Sequence, residues 1–172
     1  MLKIAICDDD EQMRGYLQTV ISRQTGVQAD LYASGEELLS RETEYDILFL
    51  DICLKQEEGA HRLNGMETAR RIRAHSDMLI IFITAMPDYV YEAYDVEAFH
   101  YLLKPIDVKK LEEVTARAAA KAKEKKNVPS LLIKTNGKFV RIPVDEIYYA
   151  ENDGRKVTLH TGNGDYSYYE KM

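Results

Sequence analysis

The run Ile47-Leu48-Phe49-Leu50 ends in a carboxylate, Asp51. Four consecutive apolar residues bounded by polar ones fit a strand buried on both faces, since a helix of equal burial is usually longer. Asp51 then stands where the strand leaves the sheet. In open parallel α/β sheets that carboxyl edge is where ligands bind. A carboxylate there can also simply cap the next turn, so this run alone leaves chemistry and capping both open.

The same pattern recurs along the chain. Residues 3–7 form an apolar strand running into Asp8-Asp9-Asp10-Glu11, and residues 27–32 form a second strand. Residues 78–84 are a fourth, ending in Thr84, and residues 101–103 a brief fifth, ending in Lys104-Pro105. Proline disfavours helix for Lys104 and holds it extended. Between these runs the period changes to a helical one. Leu17, Val20 and Ile21 mark a helix over 11–24 that Gly26 closes, with Asp10 and Glu11 suited to capping its first turn. Ser34-Gly35-Glu36-Glu37 has capping-box spacing and opens a short helix over Leu38 and Leu39. Residues 66–74 place Met66, Ala69 and Ile72 on one side, with Arg70, Arg71 and Arg73 read as a solvated face. Helices over 89–98 and 108–126 follow. Five strand-then-helix units predict a parallel sheet covered on both faces, with every strand's carboxyl end at one edge. Asp8, Asp9, Asp51, Thr84 and Lys104 collect there.

Three clustered carboxylates cannot all stay ionised without a counter-charge, and hard oxygen donors of this kind suit Mg²⁺. A metal on Asp9 and Asp51 would neutralise an incoming phosphoryl group and leave an Asp51 oxygen free to attack; carboxylates are known phosphoryl acceptors. Lys104 would supply a point charge to the phosphoryl oxygens and the Thr84 hydroxyl a further donor.

No apolar stretch is long enough to span a bilayer, and the first residues lack the basic region and length of a signal peptide, so a cytoplasmic protein is expected. Cys7 and Cys53 give no disulfide framework, although their strands are expected to be neighbours. His61, His75, His100 and His160 show no ligand spacing for zinc. Through residue 122 the chain carries 22 acids against 14 bases, and beyond it 7 against 9. Only the tail is suited to meet a polyanion.

Taken in order, Asp8-Asp9, Asp51, Thr84-Ala85 and Tyr101-Leu102-Leu103-Lys104-Pro105 resemble the response-regulator receiver domains of two-component signalling. The resemblance covers residues 1–122 and implies an α/β fold: a doubly wound five-stranded parallel sheet, flavodoxin-like, in order 2-1-3-4-5. It implies that Asp51 is the phosphoacceptor, that Asp8, Asp9, Asp51 and the carbonyl of Cys53 bind Mg²⁺, and that Lys104 contacts the phosphoryl group. Thr84 and Tyr101 would form the switch pair. Two departures stand out. The loop 54–64 is longer than the family's usual turn, and Cys53 and Met86 occupy positions that tune phosphate lifetime, which points to slow self-dephosphorylation. A haloacid-dehalogenase-like phosphatase would need a second Asp two residues after the nucleophile, where Cys53 stands. A signalling protein rather than an enzyme is therefore expected.

Residues 123–130, with their lysines and Pro129, read as a linker. Beyond them the period becomes that of short strands. Asn136-Gly137 is a strong hairpin signal, and Asn152-Asp153-Gly154 and Gly162-Asn163-Gly164 mark further turns. Residues 131–172 resemble the opening of a LytTR-type DNA-binding domain, an incomplete all-β antiparallel segment in which Asn152, Arg155 and Lys156 would face DNA. The expected partners are a sensor histidine kinase, DNA for the full-length protein, and a second copy on phosphorylation. A β output that binds protein through its open strand edges is the alternative.

Overall fold

The computed structural model describes residues 2–41, 44–54, 63–127, 129–135 and 137–169. The chain divides into two compact units, Met1–Lys123 and Glu124–Met172. The long loop expected after Asp51 falls largely on residues 55–62 and so lies outside the described residues, as does His61.

In the first unit β1 (Ile4–Cys7), β2 (Asp30–Tyr32), β3 (Ile47–Leu50), β4 (Leu79–Thr84) and β5 (His100–Leu103) form one parallel sheet in order β2-β1-β3-β4-β5. This is the expected doubly wound arrangement. Alternation along each strand divides the core in two. Ile47 and Phe49 of β3 point with Ile4, Ile6, Ile81 and Ile83 toward α1 (Glu11–Thr25) and α5 (Val108–Asn127). Leu48 and Leu50 point with Ile80 and Phe82 toward α3 (Gly65–Arg73) and α4 (Val90–Asp95), on the face that also carries Leu38 of α2 (Gly35–Leu39). Both faces are filled, which is why β3 and β4 read as unbroken apolar runs. Burying one such Phe, Leu or Ile side chain is worth roughly 1.5–3 kcal/mol.

Local chemistry sets the helix ends. The Asp10 carboxylate accepts from the amides of Gln12 (2.8 Å) and Met13 (3.3 Å), and Gly26 closes α1 at φ 69°. Asn64 and Glu67 cap α3 reciprocally. Two elements are shorter than the sequence predicts. β2 begins only at Asp30, because side chains of α1 take the preceding backbone: Gln18 donates to the Ala29 carbonyl (3.0 Å), and the Thr25 hydroxyl accepts from the Val27 amide (3.2 Å). α4 starts late, after a 3₁₀ turn at Pro87–Tyr89. It ends early, where the Ala98 amide reaches back to Ala93 O and Glu97 turns to φ 49°.

Arg73 departs from the solvated reading. Its guanidinium donates to the carbonyls of Val96 (2.9 Å), Ser76 (3.0 Å) and Met78 (3.0 Å), tying the end of α4 to the turn before β4. Arg70 pairs with Glu92 of α4 at 2.7 Å.

The second unit holds a hairpin, β6 (Ser130–Thr135) with β7 (Lys138–Pro143), and a three-stranded antiparallel sheet in order β10-β9-β8. These strands are β8 (Ile147–Asp153), β9 (Lys156–Thr161) and β10 (Gly164–Tyr169). Ile133, Ile142 and Leu159 form its small core, flanked by Val140, Val157, Tyr166 and Tyr168. Residues 123–127, read from sequence as linker, are the last turn of α5. No helix among the described residues is long and apolar enough to cross a membrane.

Candidate functional site

Register assembles the site. Cys7 is level with Leu50, and Leu50 with Phe82, so Asp8 and Asp51 leave neighbouring strands side by side. Ligand oxygens of Asp8, Asp9 and Asp51 lie within 4.8 Å of one another. Asp8 is 1 % exposed and Asp51 5 %. Lys104, whose amide continues the β5 ladder onto Thr84 O (2.9 Å), reaches across with Nζ 2.8 Å from Asp8 Oδ2 and 2.6 Å from Asp51 Oδ2. The remaining oxygens are held by backbone: Asp8 Oδ1 accepts from the Asp10 amide (2.9 Å) and Asp51 Oδ1 from the Cys53 amide (2.9 Å).

Burial raises the pKa of the Asp8 carboxyl, and the Lys104 hydrogen bond only partly offsets this. For Lys104, burial works against the charged form, but its hydrogen bonds to Asp51 and Asp8 outweigh it and the ammonium is held above its usual range. Three carboxylates against one bridging ammonium leave an excess of hard anionic oxygen in a largely dry corner, a donor set that fits a small divalent cation.

Thr84 and Tyr101 meet at one point that sequence reasoning did not find, the backbone of Met86. The buried Thr84 hydroxyl accepts from the Met86 amide (3.3 Å), and the Tyr101 phenol donates to the Met86 carbonyl. Cys53 Sγ lies 3.6 Å from the Thr84 hydroxyl. The Tyr101 ring sits 6.0 Å from that of Phe82, and burial, followed by the nearby Cys53 and Asp51, pushes its phenol up to about 12.

Cys7 and Cys53 are both free; Cys7 is buried and its thiol pushed far up by burial, so it is no nucleophile. Among the described residues, His75 is exposed beyond α3, His100 opens β5, and His160 lies in β9 between Asp165 (2.9 Å) and Glu151 (3.4 Å). Asn152, Arg155 and Lys156 are exposed at the β8–β9 turn, where Gly154 takes φ 64°. Two contributors to the acidic site were not anticipated. Arg14 Nη1 donates to the Asp8 carbonyl at 2.6 Å. Gly65, whose amide donates to Ile52 O (3.0 Å), packs with no room for a side chain against the carbonyl of Asp51. The glycine after the long loop was visible as a signal; the arginine gave none.

A doubly wound sheet in order 2-1-3-4-5, with an acidic trio and a bridging lysine at its carboxyl edge, defines a receiver-type α/β domain. The family model of the response regulator receiver domain matches residues 4–116, and the chain belongs to that family. It is 28 % identical over 169 residues to the sensory transduction protein LytT of Oceanobacillus iheyensis, covering 92 % of this chain and 66 % of that one. It is 31 % identical over 120 residues to the transcriptional regulatory protein BtsR of Escherichia coli K12, covering 68 % and 48 %. The chain thus spans about half to two thirds of the length of these curated relatives. Among solved structures, the response regulatory domain of mrkE from Klebsiella pneumoniae superposes with a TM-score of 0.65 at 24 % identity, over 72 % of this chain and 99 % of that one, a likeness of fold.

Proposed function

We propose that this chain is the phosphorylation-controlled part of a two-component response regulator, a signalling protein rather than a turnover enzyme, with Asp51 as phosphoacceptor. The observation that carries this reading is Lys104 Nζ bridging Asp8 and Asp51 in a cluster of three carboxylates. Asp8, Asp9, Asp51 and the Cys53 carbonyl would hold Mg²⁺, which would supply charge neutralisation at the incoming phosphoryl oxygens. An Asp51 oxygen forms the new O–P bond as the P–N bond to a kinase phosphohistidine breaks, and the histidine leaves with the electron pair. Lys104 then exchanges a carboxylate partner for a phosphoryl oxygen. The Cys53 amide keeps Asp51 aimed out of the strand, and the small Thr84 hydroxyl offers a donor to the same group. If Thr84 turns toward the phosphoryl oxygens it gives up the Met86 amide, and Tyr101, bound to the other side of the same residue, is free to change rotamer. That surface is the two-state element we assign to the switch.

Resemblance to LytT along nearly the whole chain, together with the likeness to BtsR, a transcriptional regulatory protein, supports a DNA-binding output that begins in the second unit, with Asn152, Arg155 and Lys156 at its surface. A sensor histidine kinase as donor, a cytoplasmic setting and pairing of two copies on phosphorylation belong to the same reading. Incubation with acetyl phosphate and MgCl₂, followed by intact mass measurement, should give one added phosphoryl group. The adduct should disappear in Asp51→Asn and on chelation with EDTA. No adduct on the wild-type chain would sink the proposal.

A further inference from the structure

We propose that Arg14 is a positioning residue for the acidic site: it fixes the peptide between Asp8 and Asp9 and so aims the Asp9 carboxylate at the cation. The proposal rests on reading Asp9 as a metal ligand.

Arg14 stands in the first turn of α1, its own amide donating to Asp10 O at 3.0 Å. Helical side chains lean toward the N-terminus, so this long one reaches back over the β1–α1 corner. There Nη1 donates to the carbonyl of Asp8 at 2.6 Å. That oxygen belongs to the peptide plane joining Asp8 to Asp9, and rotation of this plane swings the Cα–Cβ bond of Asp9. Its neighbours on either side are already pinned. The Asp8 amide donates to Tyr32 O (3.1 Å), and the Asp10 amide donates to Asp8 Oδ1 (2.9 Å). The guanidinium grips the plane between these two anchors. A charged donor on a part-buried carbonyl is a strong and directional choice for the task.

The sign of the effect separates this role from simple electrostatics. A guanidinium beside three carboxylates repels an incoming cation, so a purely electrostatic Arg14 would weaken Mg²⁺ binding, and its removal would tighten it. A positioning Arg14 gives the opposite result.

The test is calorimetric titration of MgCl₂ into the full chain and into Arg14→Met, Arg14→Gln and Arg14→Lys, with the metal-free unfolding midpoint of each recorded. Both neutral variants should bind Mg²⁺ about tenfold more weakly, the scale expected when a group that orients a metal ligand is lost. Arg14→Lys, which restores a charged donor, should recover most of the affinity. The stabilisation that saturating Mg²⁺ confers on the wild type should shrink in the neutral variants by more than their metal-free midpoints fall. Either neutral variant, folded by its metal-free midpoint, binding Mg²⁺ as tightly as wild type or more tightly would overturn the assignment of Arg14 alone. A wild-type chain that shows neither binding heat nor metal-dependent stabilisation would instead remove the metal reading of the site, and this proposal with it.

Discussion

Gly65 bears directly on Asp51. A Cβ built there would fall on the Asp51 carbonyl and the Ile52 Cα, both backbone and unable to yield. Gly65→Ala should cost about 1–3 kcal/mol, the range for forcing extra atoms into a packed site, and should reduce acetyl-phosphate labelling as well. Gly15, inside α1 with open space around it, is the control. Gly15→Ala should gain about 0.5–1 kcal/mol, and urea unfolding of the two variants would show opposite signs. His100 makes a second prediction. Burial lowers its pKa, and Lys110 and Arg117 of α5 add to the effect while Glu113 opposes it. Its Nδ1 accepts from the Tyr101 amide (2.8 Å), which a protonated ring nitrogen cannot do. With the folded pKa below the ordinary one, the unfolded chain takes up the proton first. Stability is therefore whole above about pH 6.5, the ordinary imidazole value, and falls on acidification from there. Unfolding measured from pH 7.5 to 5 should show this slope, reduced in His100→Gln. At this scale the acidic and basic site residues were legible, since each ends an apolar run. The Arg14 and Met86 backbone contacts were not, because they depend on where a long side chain and a turn carbonyl come to rest.

Among the elements, β3 and β4 were legible because burial on both faces leaves an unbroken apolar run, a pattern that few elements besides a central parallel strand produce at that length. The bounds of β2 and α4 were not, since backbone captured by Gln18, Thr25 and Arg73 decides them and no periodicity records it. Arg73 shows why a charge at helical spacing need not be solvated: the C-terminal carbonyls of a helix are acceptors in search of donors. Arg73→Met would leave the carbonyls of Val96, Ser76 and Met78, in two separate segments, without that donor. At about 1 kcal/mol per lost bond, it should destabilise the chain by about 2–3 kcal/mol and speed amide exchange selectively across α4. An unchanged exchange rate in α4 would show that the clasp is incidental.

At the scale of the molecule, the two units differ in charge and in how much core each encloses. The first fills two layers around a central sheet; the second, among its described residues, buries Ile133, Ile142 and Leu159, with Leu132, Phe139 and Tyr148 largely exposed. A core of that size gives little independent stability, so DNA affinity of this chain should be weak and strongly salt-dependent. Gel-shift titration at low salt should show at best micromolar binding; nanomolar binding would mean that the described strands suffice as a reader. The composition shift and turn signals made the second unit's hairpins legible, whereas nothing local in sequence marks which of its apolar side chains remain uncovered. The Lys104 bridge carries a further consequence, for the order in which the protein is made. Lys104 lies 96 residues after Asp8 and 53 after Asp51. A chain leaving the ribosome therefore presents its three acids long before the cation that joins two of them, and the bridge closes only when the fifth strand docks. Under the phosphoacceptor role proposed for Asp51, response to a kinase would therefore require that the fifth strand has docked.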